Sequence, residues 1–182
     1  DSSKTQGKKT VIIEKKTGKL SAKAGFTKHS GSRPFSPNDT CASLKIAWLS
    51  SDISYHPVGR FILGLFSSNC DVTHQHVLVD VHEHASESKS QWFNELSSVD
   101  LFTPSSTSFD HMLGDIRSLN ADIAIDLSGW TSGHFMRGFH SRLSPIQVSY
   151  LGYFASTGIP NMDYWLGDSY LFPSPMEEWH SE

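Results

Sequence analysis

With 182 residues, 37% hydrophobic and 12% aromatic, the chain has enough apolar mass for one globular core but too little length for two domains of ordinary size. Its net charge of −4 is unevenly divided: residues 1–33 hold nine of the fifteen basic side chains against only Asp1 and Glu14, which leaves an acidic body ill suited to gripping a polyanion. No run approaches the roughly 18 apolar residues of a membrane span and no charged-then-apolar signal opens the chain, so the cytoplasm is the expected compartment and no membrane partner is expected.

Residues 1–42 read as a basic, flexible leader or linker, rich in Lys, Ser, Thr and Gly and lacking the aromatic interleaving of a nucleic-acid binder. Within it, Thr10-Val-Ile-Ile-Glu14 is β-prone but has no partner nearby. The breaker cluster Ser30-Gly-Ser-Arg-Pro-Phe-Ser-Pro37 then separates it from the folded body, which is expected over 43–182. Cys41 and Cys70 stand apart, without a C-x-x-C spacing, and read as reduced structural thiols.

The body opens with an apolar run, Lys45 to Ser50, suited to a buried parallel strand. Pro57, its φ already near the helical value, can open a helix running to about Ser68. Val72 to Val81 alternates as a strand, Ser88 to Leu96 spaces Trp92, Phe93 and Leu96 as a helix, and Val99-Asp-Leu-Phe102 is a short strand. Ser108 stands at the cap of the next helix, whose apolar positions Phe109, Met112, Leu113, Ile116 and Leu119 make one face. Asp122 to Leu127 is a buried strand, Gly133 to Arg142 a short helix, and Ile146 to Leu151 another strand. Strands alternating with helices at these lengths predict an α/β fold, a Rossmann-like parallel sheet with helices on both faces.

In such sheets ligands bind outside the carboxyl ends of the strands, so the loops there are the first places to look for chemistry. The loop after the first strand of the body carries His56, an imidazole able to accept or donate a proton, whose backbone is held extended by Pro57. It can act as a base, contact a phosphate or hydroxyl, or simply tie down its own turn. Asp52, four residues earlier, reads as a turn residue rather than a catalytic one. Asp126-Leu-Ser-Gly-Trp-Thr131 ends a buried strand in a turn, with Gly129 for the tight backbone and Thr131 free to donate to a ligand oxygen. Gly152-Tyr-Phe-Ala-Ser-Thr-Gly158 is a glycine-bounded loop whose N–H groups can approach an oxyanion or a sugar hydroxyl. His74, His76, His82 and His84 form two His-x-His pairs without a companion ligand frame; they read as exposed histidines at strand edges, and no metal site is expected.

Four segments in order resemble the catalytic region of the SPINDLY-like family of O-linked N-acetylglucosamine transferases. They are Leu-Ser-Ser-Asp-x-x-x-His-Pro at 49–57, Ala-Asp-Ile-x-Ile-Asp-Leu-x-Gly-x-Thr at 121–131, Ser-Pro-Ile-Gln-Val-Ser-Tyr-Leu-Gly-Tyr at 144–153 with Thr157-Gly158 following, and Met162-Asp163-Tyr164 before Asp168. The resemblance covers about two thirds of the chain. It implies the first lobe of a two-lobed B-type glycosyltransferase fold, with a C-terminal lobe absent from this chain supplying most contacts to the nucleotide. It further implies a donor substrate, UDP-N-acetylglucosamine, a protein acceptor modified on Ser or Thr, and no metal or other cofactor. On this reading His56 lines the transfer site as the catalytic residue, and Gly129, Thr131, Gly152, Tyr153, Thr157 and Gly158 lie at the sugar and acceptor.

The chain also departs from the family. Trp130 stands where Tyr or His is usual, Leu119-Asn120 where Asp-Gly is common, and Phe154-Ala155 within a loop that usually reads Gly-Tyr-Pro-Gly. Rival expectations are therefore a related fucosyl- or glucosyltransferase, or an inactive fragment or partner-binding α/β module. The end after Glu177-Glu-Trp-His180 fits a truncated reading frame better than a finished enzyme.

Overall fold

The computed structural model describes residues 12–13 (backbone), 43–67, 73–82, 99–168 and 170. Its elements are β1 (Ile12–Ile13), β2 (Lys45–Ser50), α1 (Pro57–Ser67), β3 (Gln75–Asp80), β4 (Asp100–Phe102), α2 (Phe109–Ser118), β5 (Ile123–Asp126), α3 (Met136–His140), β6 (Ile146–Tyr150) and β7 (Tyr164–Gly167). The helix expected over Ser88 to Leu96, His84 and both cysteines fall outside the described residues.

Six strands, β2 to β7, pair in parallel, and β1 adds to the edge of β7 antiparallel, giving the order β1-β7-β6-β5-β2-β3-β4. From β2 the chain moves outward through β3 and β4, then returns to pair β5 beside β2 and moves the other way through β6 and β7. The order thus reverses between β2 and β5, the topological switch point at which doubly wound sheets open a ligand crevice.

β2 reads as a continuous apolar run because it is covered on both faces. Ala47 and Leu49 face one core with Val77, Val79, Ala124, Met112 and Ile116, joined by Phe135, Met136 and Phe139. Ile46 and Trp48 face the opposite core, where Val58, Ile62 and Phe66 of α1 pack on Leu78, Ile125 and Leu127. The predicted face of α2 is confirmed, since Met112 and Ile116 are buried and Phe109, Leu113 and Leu119 pack against the same core. Ser108 precedes that helix, but its side chain makes no capping hydrogen bond. At the other end of the helix Asn120 takes φ 49, the left-handed cap that Asn tolerates better than most residues, so the backbone turn survives where the family commonly has Gly.

Three expectations are corrected. The run at Val11-Ile-Ile13, left without a partner in sequence, contributes β1: Ile12 pairs with Gly167 and Ile13 with Leu166. Its partner β7 was itself not predicted, because a four-residue, half-buried strand shows neither an apolar run nor alternation. His76 is buried rather than exposed at a strand edge; its Nδ1 accepts the Trp48 Nε1–H at 3.1 Å, and Phe66 stands edge-on to both rings. A buried indole N–H needs an acceptor, and a histidine on the neighbouring strand provides it. His74 is half-buried and His82 exposed.

Candidate functional site

Three loops leave the carboxyl ends of β2, β5 and β6 and meet at the switch point. Ser50, the last residue of β2, and Ser128 after β5 are both buried, with hydroxyls 3.0 Å apart, and Ser50 Oγ also accepts the Asp52 N–H at 2.9 Å. Ser51 Oγ donates to the Ser132 carbonyl at 3.4 Å. The first two loops are therefore stitched together by hydroxyls of adjacent strands.

His56 sits just before α1: the Arg60 N–H donates to its carbonyl at 3.0 Å, and Pro57 begins the helix. The imidazole is about half exposed, with Nδ1 3.8 Å from Asp52 Oδ2 and 3.4 Å from the Val58 N–H. These contacts favour different tautomers. Accepting from Val58 leaves the proton on Nε2, whereas facing the Asp52 carboxylate puts it on Nδ1 and frees Nε2 to accept a proton. Asp52 thus lies where it can orient the ring, while its carbonyl accepts the Ser54 N–H at 2.8 Å as a turn residue.

The second loop is organised by Asp126, which sequence reading treated only as part of the turn. Its carboxylate, 1% exposed, accepts the Gly129 N–H at 2.7 Å and the Ser128 N–H at 3.2 Å. Burial pushes this carboxyl up to about 6, against the opposing pull of those two N–H donors. The signal was legible: a strand-ending Asp followed by Ser and Gly is the pattern of a side chain closing its own turn. Gly129 has φ 55, and a Cβ there would fall 2.1 Å from Tyr153 Cβ, so the position demands glycine on both counts. The hydroxyl of Thr131 is not free: it donates to the Ser128 carbonyl at 2.7 Å, closing the turn and leaving only its lone pairs for a ligand.

The third loop leaves β6 through Leu151, at φ 72, and Gly152, where a Cβ would sit 1.8 Å from the Leu127 carbonyl oxygen. This close crossing locks the third loop to the second. Tyr153 is half-buried against Gly129, Phe154 is 81% exposed, and the Thr157 carbonyl accepts the Trp130 Nε1–H at 2.8 Å. The Thr157 side chain is buried, with Oγ1 accepting the Ile159 N–H at 3.3 Å within its own loop; Gly158 is exposed. The structure therefore joins Gly129, Thr131, Gly152 and Tyr153 into one wall. Thr157 contributes its backbone to that wall, and His56 joins it through the β2 loop.

Beside this wall a hollow of about 390 Å³ is lined by residues that include His82, Thr107, Phe109, Ser132, His134 and Phe135. It shares Ser132 to Phe135 with the segment following Thr131. Among the described residues no three His, Cys, Asp or Glu side chains gather as a metal site would need.

Fold and site together define a Rossmann-type α/β unit whose β2, β5 and β6 loops are joined at its switch point, where doubly wound sheets place their ligand crevices. The chain matches the family described as Glycosyl transferase family 41 over residues 8–182, and it belongs to that family. The match begins ahead of β1 and so takes in most of the basic segment. The chain is 27% identical over 141 residues to the probable UDP-N-acetylglucosamine–peptide N-acetylglucosaminyltransferase SEC of Arabidopsis thaliana, covering 76% of this chain and 14% of that protein. It is 37% identical over 67 residues to the corresponding SPINDLY protein of Eustoma exaltatum subsp. russellianum, covering 37% of this chain and 7% of that one. A mutant O-GlcNAc transferase of Thermobaculum terrenum shares the fold, with a TM-score of 0.67 at 24% identity over 78% of this chain and 27% of its own. The chain thus spans a small part of the length of each relative.

Proposed function

We propose that this chain forms the first catalytic lobe of a protein O-glycosyltransferase that moves N-acetylglucosamine from UDP-N-acetylglucosamine to Ser or Thr hydroxyls, with inversion and without a metal. The observation that carries the reading is the convergence of the β2, β5 and β6 loops, each bearing one of the family-like segments, on a single crevice wall. The acceptor oxygen attacks the anomeric carbon, the bond to the diphosphate breaks, UDP departs, and the hydroxyl proton passes to a base. His56 Nε2 is the proposed base, with Asp52 holding the Nδ1 proton. The donor's diphosphate is assigned to the second lobe, whose helix N-termini and cations would meet its charge. No helix among the described residues is long and apolar enough to cross a membrane, and the cytoplasm is the proposed compartment.

A second reading is transfer of fucose or glucose, because sugar choice rests on pocket details and Phe154, which departs from the family pattern, is exposed beside Tyr153 at the wall. Incubating the complete protein with UDP-N-acetylglucosamine, UDP-glucose or GDP-fucose and a hydroxyl-rich acceptor protein, then identifying the added mass on Ser or Thr, separates the readings. The expected product carries N-acetylglucosamine; addition of a hexose or a deoxyhexose alone would replace the first reading by the second. A further expectation follows from the division of labour between lobes. In calorimetry the 182-residue chain alone binds UDP more weakly than micromolar, and micromolar binding would move the nucleotide site onto this lobe.

A further inference from the structure

Trp130 differs from the chain's other structurally described tryptophans. Trp48 is buried in a core with its N–H on His76, and Trp165 is largely covered within β7. Trp130 leaves 48% of its surface in water, yet it is fixed. Its Nε1–H is held by the Thr157 carbonyl at 2.8 Å, its ring stands against His134 at 5.0 Å and 73°, and its backbone follows Gly129, which is wedged against Tyr153. An exposed aromatic loses little further entropy on binding when both its polar tip and its edge are already restrained.

The surroundings define what it can hold. The turn that carries it is flanked by Thr131 and Ser132, and Ser51 of the neighbouring loop bonds to the Ser132 carbonyl. A flat apolar surface set among hydroxyls and carbonyls suits a ligand that is apolar on its faces and polar around its rim. A pyranose has that shape: its ring C–H bonds make the faces and its hydroxyls the edge. A gluco-configured ring offers a flat C–H surface on its faces, and a sugar with one axial hydroxyl still keeps one such face.

We infer that Trp130 is a platform on which the pyranose of the donor stacks. This rests on the glycosyltransferase reading above. Relative to Tyr or His, the indole offers a larger face at the same position while its N–H is spent on Thr157 rather than on proton transfer.

The test uses the complete protein with UDP-N-acetylglucosamine and UDP as probes. Trp130→Ala is expected to raise KM for UDP-N-acetylglucosamine about tenfold, the cost of one lost stacking contact of about 1.4 kcal/mol. UDP binding should stay unchanged, and Trp130→Tyr should recover most of the loss. In the two-dimensional spectrum of the indole N–H groups, the Trp130 signal, assigned by its absence in the Ala variant, should shift with UDP-N-acetylglucosamine and not with UDP. Should UDP alone shift the signal, or Trp130→Ala weaken UDP as much as the nucleotide-sugar, the platform would hold the base and the inference would fall. Unchanged KM in a folded Trp130→Ala variant would overturn it as well. A protein that transfers no sugar from any donor, yet shows the sugar-dependent shift, would sink the enzymatic reading and leave the platform standing.

Discussion

Replacing His56 by alanine in the complete enzyme should lower turnover about 100-fold or more while leaving the melting transition in place, the usual range for losing a positioned proton-handling group. The ring is about half exposed and packs into neither core, so its removal opens no cavity. In the proposed reaction, what is lost is the acceptor for the hydroxyl proton at the carboxyl end of β2. Asp52→Asn should cost less, about tenfold, because the amide can still occupy the space beside Nδ1 but no longer favours the tautomer that frees Nε2. Steady-state kinetics with thermal melts read both. If His56→Ala keeps most of its activity, or if it melts far below the parent, the contact with the Val58 N–H is the one that matters and His56 is a turn residue.

The second large effect concerns Asp126. Its carboxyl is raised by burial from an ordinary 3.8 to about 6, so between those values the folded chain holds a proton that the unfolded chain has released. Stability contributed by this group is therefore greatest below pH 4 and falls as pH rises to about 6, after which it is level. At about 1.4 kcal/mol per pH unit the loss is about 3 kcal/mol. Asp126→Asn removes the titration. Denaturant titrations at pH 4 and pH 6.5 should show the parent losing about 2 kcal/mol more than the variant across that interval, most of the full effect. Equal losses in the two proteins would mean that the two N–H donors of the turn fully offset the burial.

How far the architecture could be read in advance follows from where its information lies. β2 and α2 were legible because burial imprints itself locally, as a continuous apolar run in one and as the spacing Phe109, Met112, Leu113, Ile116 in the other. The loops that bear His56, Gly129 and Gly152 were located for the same reason, since each ends such a strand. β7 was not legible, because Tyr164–Gly167 becomes a strand only through its partners β6 and β1. The side-chain commitments were hidden too. Nothing local says that the Thr131 proton is used by Ser128, that Thr157 turns inward, or that His76 is buried to receive the Trp48 N–H. Those facts depend on pairs brought together by the sheet.

The two strands that frame the crevice are also among the most separated in the chain: Ile46 pairs with Ile123, and the Lys45 N–H bonds to Asp122 across 77 positions. A contact of that span closes only after a large loop has been drawn in, so it forms slowly compared with local helices and hairpins. During synthesis β2 emerges well before β5, and until β5 pairs with it the backbone edge of β2 on that side stands open. The crevice is in this sense a late product of folding.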